Sequence, residues 1–421
     1  MKWPATSIGK LCVPTGQRDP TAAPDSSFRY IDIASVDKDA KRITAALEMR
    51  GAEAPSRARK EVRAGDVLVS TVRPNLNAVA LVPDDLDGQI ASTGFCVLRA
   101  DQKVADGKYI FYRCLTPEFV NSLVSQMRGA NYPAVSDGVV KRAEIPFPAR
   151  REQRRIVELL EQADGLGRQR AEADQLADRI LPALFHKMFG DPIANDKGWP
   201  IRKFGDIGES RLGKMLDSKQ QTGEHRRPYL RNLNVQWNRF DLSSVLEMDF
   251  APDVREELLL RKGDLLICEG GEVGRAAIWD EQIPECYFQK ALHRVRPQAD
   301  KCSAEYLLHL LWALAKRGSL VDLNSKATIP HLTGVQLAAL RIPLPPVELQ
   351  KTFARLVQTT STVMSKTTSS RDSIENLFRT MLHRAFTGEL TAKWREAHLK
   401  ELLAEMEQQA KLLRESVPVD V

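Results

Sequence analysis

The sequence predicts an α+β chain in which two β-rich domains are joined by two long antiparallel helices that form a coiled-coil spacer. Three observations predict it. The chain carries an internal repeat, each copy holds short apolar runs entered through Gly-Asp turns, and each copy ends in a long segment whose apolar residues step by threes and fours.

The repeat sets the layout. Trp3-Pro4 recurs 196 residues on as Trp199-Pro200, and Gly65-Asp66-Val67-Leu68-Val69 recurs 198 on as Gly263-Asp264-Leu265-Leu266-Ile267. At an offset of 197, Tyr109 matches Tyr306, Pro133 matches Pro330, Ser136 matches Thr333 and Gln153 matches Gln350. Ile145-Pro146-Phe147-Pro148 likewise matches Ile342-Pro343-Leu344-Pro345. The last match pairs Leu184-Phe185-His186-Lys187-Met188-Phe189 with Met381-Leu382-His383-Arg384-Ala385-Phe386. Order is kept while the offset drifts by one residue, which marks a duplication. Two copies of this size are two similar globular halves, so the monomer resembles a pseudo-dimer. The expected segments are domain 1 (1–148), helix 1 (149–192), domain 2 (193–345), helix 2 (346–390) and a helical tail (391–421).

Each element follows from its residues. Val67-Leu68-Val69 and Leu265-Leu266-Ile267 are short strands, followed by strands at Ala78–Val82, Phe95–Leu98, Ala276–Trp279 and Ala291–Val295. Tyr109–Gln126 and Glu305–Arg317 have the apolar spacing of helices. The first long helix has a seam of Ile156, Leu159, Ala163, Leu166, Ala173, Ala177, Ile180 and Leu184, with Arg170 as the polar exception. At 1.5 Å per residue, positions 152–189 would span roughly 57 Å. Pro182 should kink or locally break it. The second seam is Phe353, Leu356, Val357, Val363, Ile374, Leu377, Phe378, Met381 and Leu382. Its middle, Thr359–Arg371, is rich in Ser and Thr and should lean on a partner helix. In the tail, Leu399, Leu402, Leu403, Met406, Ala410 and Leu413 predict an amphipathic helix that binds a partner or packs back.

Composition narrows the function. The 421 residues are enough for two to four domains, and the net charge of +6 means that any nucleic-acid surface is local. Six cysteines form no CxxC pair and, with seven histidines, no zinc spacing. Unpaired thiols, no signal-like apolar start and no run of about 18 apolar residues predict a cytoplasmic protein. Catalytic motifs are scarce. Gly208-Glu209-Ser210-Arg211-Leu212-Gly213-Lys214-Met215 resembles a P-loop but lacks the hydroxyl that holds Mg²⁺, and is read as a basic loop. Asp84, Asp101 and Lys103 imitate a nuclease PD…DxK pattern, but the second copy has none. A binding role is favoured.

DNA binding needs cations for phosphates and forked polar side chains for base edges. The first copy offers Arg73, Asn75 and Asn77 after a strand, then Arg128, Asn131, Tyr132 and Ser136. The second offers Glu269, Glu272 and Arg275 in a Gly-rich loop, then Lys326, Thr328 and His331. Lys214, Arg226, Arg227, Arg231, Asn232 and Asn234 add a third set. The copies differ most in these loops while their frame residues agree.

These features together resemble the specificity subunit of a type I restriction–modification enzyme. The carrying residues are Ile145-Pro146-Phe147-Pro148, Glu152-Gln153 and the helix ending Leu184-Phe185-His186-Lys187-Met188-Phe189-Gly190. In the second copy they are Ile342-Pro343-Leu344-Pro345, Gln350 and Met381-Leu382-His383-Arg384-Ala385-Phe386-Thr387-Gly388. The resemblance covers about residues 1–395 and departs at Leu349, where the first copy has an acid; local capping should differ there. It implies two target-recognition domains, each reading half of a split double-stranded DNA site. It implies a helical spacer that sets the gap and docks two methyltransferase (M) subunits, joined by restriction/translocase (R) subunits. S-adenosylmethionine, ATP and Mg²⁺ are expected in those partners and no cofactor in this chain. The alternatives are a scaffold or inhibitory subunit of a DNA-modifying complex, or a stand-alone nuclease.

Overall fold

The computed structural model describes residues 3–129, 132–216, 221–320 and 331–415, without the side chains of 365–369 and 415. Among them are eleven α-helices: α1 (Gly107–Cys114), α2 (Pro117–Val124), α3 (Asp137–Arg142), α4 (Arg150–Asp178), α5 (Ile180–Phe189), α6 (Pro252–Leu258), α7 (Ala304–Lys316), α8 (Gly334–Ala339), α9 (Val347–Thr387), α10 (Ala392–Ala397) and α11 (Leu399–Glu415). The chain forms two compact units. Unit 1 comprises Met1–Arg170 and Arg371–Val421, and unit 2 is Ala171–Ser370, so the division falls inside α4 and α9.

Unit 1 holds two four-stranded sheets. In one, the order is Cys12–Val13, Phe95–Ala100, Val67–Ser70, Val79–Leu81, all antiparallel. In the other, Leu47–Arg50, Ser27–Ile31, Ile90–Ser92 and Ala58–Glu61 are neighbours, and Ile90–Ser92 runs parallel to Ser27–Ile31. Unit 2 repeats the plan. Gly208–Leu212, Leu292–Pro297, Leu265–Cys268 and Ala276–Ile278 form one sheet; Leu246–Asp249, Arg226–Leu230 and Tyr287–Phe288 form the other, again with one parallel pair. Where unit 1 adds the strand Ala58–Glu61, unit 2 has the helix α6.

The repeated residues make the same bonds in both units. Gln153 accepts the Asp106 N–H at 3.0 Å and donates to the Pro148 and Val104 carbonyls at 3.0 and 3.3 Å. Gln350 accepts the Ser303 N–H at 3.0 Å and donates to the Pro345 and Lys301 carbonyls at 2.8 and 3.2 Å. Both amides are fully buried, so each bond replaces one lost to water. The Tyr109 hydroxyl donates to Pro146 at 3.0 Å, and that of Tyr306 to Pro343 at 2.6 Å. Asp66 and Asp264, both buried, accept the Arg63 and Arg261 N–H groups and hold Arg99 and Arg296 in paired hydrogen bonds.

Several expectations change. Tyr109–Gln126 is two helices, because Pro117 has no N–H to continue α1 and instead starts α2, with Thr116 capping it. As expected from Pro182, the first long helix breaks at Arg179, next to the carbonyl that the proline cannot bond. Nor are the seams buried throughout. In unit 1, Ile156, Ala163 and Leu382 enter the core and Phe378 and Met381 pack against it; in unit 2, Leu181, Phe185, Phe189, Phe353 and Val357 are buried. Leu166, Leu176, Ile180, Leu356, Val363 and Leu377 are exposed. Among the described residues, the core of each unit takes in helix ends of that unit. Within unit 1 the pairing is antiparallel: Glu152 meets Thr391, while Gly167 meets Ile374. The tail packs back on unit 1, with Leu402 and Gln409 buried and Leu399, Leu403 and Ala410 exposed.

His309 lies between Phe185 and Phe353 in unit 2, and burial pushes its pKa down to about 4. A depressed histidine stabilises the fold above its unfolded pKa near 6.5 and loses that contribution as pH falls towards 4, because the unfolded chain takes the proton first. Relative to His309→Phe, unit 2 should lose about 3 kcal/mol between pH 7 and pH 4. Denaturant unfolding across that range measures it, and a constant difference between the two proteins would reject it.

Candidate nucleic-acid interface

In each unit the loop after the central strand is stitched to the loop that precedes the Ile-Pro strand. In unit 1, Val135 N–H donates to the Thr71 carbonyl at 2.9 Å and Arg73 N–H to Pro133 at 2.8 Å, and Arg128 pairs with Ala134. In unit 2, Leu332 N–H donates to the Glu269 carbonyl at 2.7 Å. Thr71 and Glu269 are repeat equivalents, as are Val135 and Leu332. One backbone bond therefore sets two variable loops side by side in both copies.

Unit 1 presents cationic and aromatic groups there. Arg73 and Asn77 both have φ of 48°, an uncommon conformation for side-chain-bearing residues and a frequent one at functional loops. The Arg73 guanidinium lies over the Tyr132 ring at 5.4 Å, and Tyr132 is 73% exposed. Asn75, Arg128 and Ser136 are exposed, and Ser136 precedes α3 without capping it. Asn77 is half-buried; its carbonyl accepts Lys41 Nζ at 2.6 Å. Burial moves Lys41 below its ordinary pKa.

Unit 2 uses different chemistry. Gly271 and Gly274 have φ of 76° and 80°, which lets the loop from Glu269 to Arg275 fold tightly. Asn232 Nδ2 donates to the Gly270 carbonyl at 2.7 Å, and Arg275 donates to Asn232 Oδ1 at 2.8 Å. Trp237 Nε1 donates to Glu272 at 2.7 Å. Exposed here are Gly271, Glu272 and His331, whose ring packs on Gly270.

Of the third set of candidates, Asn232 joins the unit 2 loop through Gly270 and Arg275, and the others do not. Arg226 and Arg227 open the strand whose far end leads to Asn232. Arg227 pairs with Glu285 at 3.0 Å. Lys214 donates to the Asp249 carbonyl at 2.7 Å and faces the Phe250 ring. The expected basic loop before Lys214 is instead the strand Gly208–Leu212, paired along its length with Pro297–His293. Arg231 donates to the Ser244 carbonyl at 2.8 Å. Asn234 is fully buried and donates to the Asp241 carbonyl at 2.9 Å, so it belongs to the frame. Asn131, Lys326 and Thr328 lie outside the described residues. Lys41, Trp237 and the exposed Leu233 are loop residues that the sequence did not single out. Asp84 opens a short 3₁₀ turn, and Asp101 accepts the Lys103 N–H at 3.0 Å as a turn. Among the described residues, no group of three or more His, Cys, Asp or Glu is placed to hold a metal, and no helix is long and apolar enough to cross a membrane.

Residues 196–376 match the family model described as the type I restriction modification DNA specificity domain. The MjaVIII type I specificity subunit of Methanocaldococcus jannaschii is 22% identical, over 72% of this chain and 75% of its own length. The EcoBI specificity subunit of Escherichia coli is 24% identical, over 74% and 75%. A chain from a structure on complex assembly and conformational transition of the type I R-M system is 30% identical, with a TM-score of 0.62 over 92% of this chain and 98% of that one.

The arrangement separates frame from surface by stability. Asn234→Ala leaves buried backbone groups unpaired and should destabilise unit 2 by about 2–3 kcal/mol. Arg226→Ala should stay within about 0.5 kcal/mol. Urea denaturation compares them, and equal losses would refute the division.

Proposed function

The chain belongs to the family of type I restriction–modification specificity subunits, whose role is recognition and not catalysis, and from that premise we propose that it reads a split double-stranded DNA site with one loop cluster in each unit. The observation that carries this reading is the shared backbone bond from Val135 to Thr71 and from Leu332 to Glu269, which aligns unlike side chains on like frames. Unit 1 reads through Arg73, Asn75, Arg128 and Tyr132: the guanidinium suits guanine O6 and N7, the amide suits adenine, and the aromatic ring supplies apolar contact. Unit 2 reads through Glu272 and His331, with the Glu272 carboxylate suited to accept from cytosine N4. Different chemistry in the two clusters selects two different half-sites. Other Lys and Arg side chains supply grip that weakens with salt.

Helices α4, α5 and α9 form the coiled-coil spacer that sets the gap between half-sites and docks two M subunits, with R subunits joining the complex. The exposed Leu166, Leu176, Ile180, Leu356, Val363 and Leu377 support that docking, since they leave apolar helix surface for a partner to cover. The chain itself binds no cofactor; S-adenosylmethionine, ATP and Mg²⁺ belong to the partner subunits, and the assembly works in the cytoplasm.

Binding of the assembled complex to duplexes varied one half-site at a time tests the reading. Arg73→Ala should weaken discrimination at one half-site by about 1–3 kcal/mol and leave the other unchanged. Equal affinity of the intact complex for all duplexes would end the proposal. Removing one or two turns near Glu172 should alter the preferred gap and keep both half-sites. Changed half-site sequences at a constant gap would contradict the spacer role.

A further inference from the structure

The two copies also differ at the start of their long helices, where the buried glutamine bonds agree. In unit 1 the start of α4 is covered by the chain's own tail. Glu152, 1% exposed, pairs with Arg395 Nε at 2.7 Å and accepts from Thr391 Oγ1 at 2.7 Å and Trp3 Nε1 at 3.1 Å. Gln409 enters the groove beside it. Its Nε2 donates to the Val104 carbonyl at 2.9 Å and its Oε1 accepts the Arg150 N–H at 3.0 Å. Glu405 accepts the Arg151 N–H at 3.1 Å, and Glu401 pairs with the Arg151 guanidinium. The first two orphan donors of α4 are thus satisfied by a distant helix.

In unit 2 the equivalents of Val104, Arg150 and Arg151 are Lys301, Val347 and Glu348. There a groove of about 510 Å³ lies open, with Ile207, Leu344 and Val347 as its apolar wall and Arg202, Asp206, Asp300 and Lys301 around it. The Lys301 carbonyl accepts Gln350 Nε2, as Val104 accepts Gln153 Nε2. No second donor reaches that carbonyl, and no acceptor reaches the Val347 and Glu348 N–H groups, among the described residues. The carbonyl and N–H that hold the Gln409 amide in unit 1 stand unfilled in unit 2.

We propose that this groove docks two consecutive amphipathic helices of a partner protein, joined by a turn as α10 and α11 are, which offer a Gln or Asn amide to the Lys301 carbonyl and the Val347 N–H as Gln409 does in unit 1. The differences between copies define the occupant further. Leu349 stands where Glu152 does, so the occupant carries an apolar residue at the place of Arg395. Glu348 stands where Arg151 does, so the occupant carries a basic residue at the place of Glu401. A second copy's tail is thereby excluded: it would bury Arg395 without a carboxylate and set Glu401 against Glu348. The inference does not depend on the DNA reading.

The probe is a labelled peptide of residues 391–415, stapled on the exposed face of α11 to hold that helix, with Arg395→Leu and Glu401→Lys. Titrated against the full chain, it should bind saturably. Gln409→Ala in the peptide, or Val347→Pro in the protein, should each weaken it about tenfold. Proline is tolerated at the first helical position, so that variant removes the donor, keeps an apolar side chain in the wall and leaves the helix in place. The peptide without the two substitutions should bind at least about tenfold more weakly, and Glu348→Lys, at an exposed position, should reverse that preference. No binding, or binding indifferent to Gln409, Val347 and Glu348, would overturn the proposal.

Discussion

The buried glutamine amide at the start of each long helix is the constraint on which both units depend. Gln153 and Gln350 each join three backbone groups: the N–H that opens a head helix, the carbonyl of the Pro-Pro or Phe-Pro corner, and the carbonyl of the loop before that helix. The primary amides of Gln and Asn are the uncharged side chains that offer two N–H donors and an acceptor at once. Buried, such an amide tolerates no loss of a partner. It therefore fixes where the helix leaves the head, and with it the Tyr109 and Tyr306 hydroxyl bonds to the same corner. Head and helix are coupled at this point, so a loop on the head keeps a defined relation to the helix end its own unit contains.

That coupling explains why the frame was legible in the sequence. Residues that must satisfy buried backbone groups leave a repeated trace, and Gln153 with Gln350, Asp66 with Asp264 and the Ile-Pro-x-Pro strands all appear at the repeat offset. The break between α1 and α2 was also written, in Thr116-Pro117, but the apolar spacing of Tyr109–Gln126 runs through it. Burial along the long helices was not legible. A seam shows which face is apolar, not how far a neighbour covers it, so Ile156 and Leu176 look alike in sequence and differ in the structure.

The candidate surface divides on similar grounds. Arg73, Asn75, Arg128 and Tyr132 stand exposed in these loops, held by backbone bonds such as Arg73 N–H to Pro133, and the Arg73 guanidinium lies over the Tyr132 ring. Asn232, Asn234, Arg231 and Arg275 are polar residues of the same types in similar loops, yet they tie loop to loop. Composition does not distinguish an amide that meets solvent from one that meets a carbonyl seven residues away. Glu152 is the extreme case. It reads as a local capping acid, but its partner Arg395 lies 243 residues further on. No periodicity carries a contact of that range.

The tail shows how a duplicated frame becomes asymmetric. After duplication, both helix starts present the same orphan N–H groups and the same loop carbonyl. Covering one of them within the chain requires an acid beside the glutamine, a cation to meet it and an amide to reach the groove, which Glu152, Arg395 and Gln409 supply. Leu349 removes the first of these from the other copy, and a buried guanidinium without a carboxylate is unfavourable by several kcal/mol, about the scale of a whole domain's stability margin. One apolar residue is thus enough to direct the tail to unit 1 and keep it from unit 2. The asymmetry gives two similar heads one feature that a partner can distinguish without touching the reading loops.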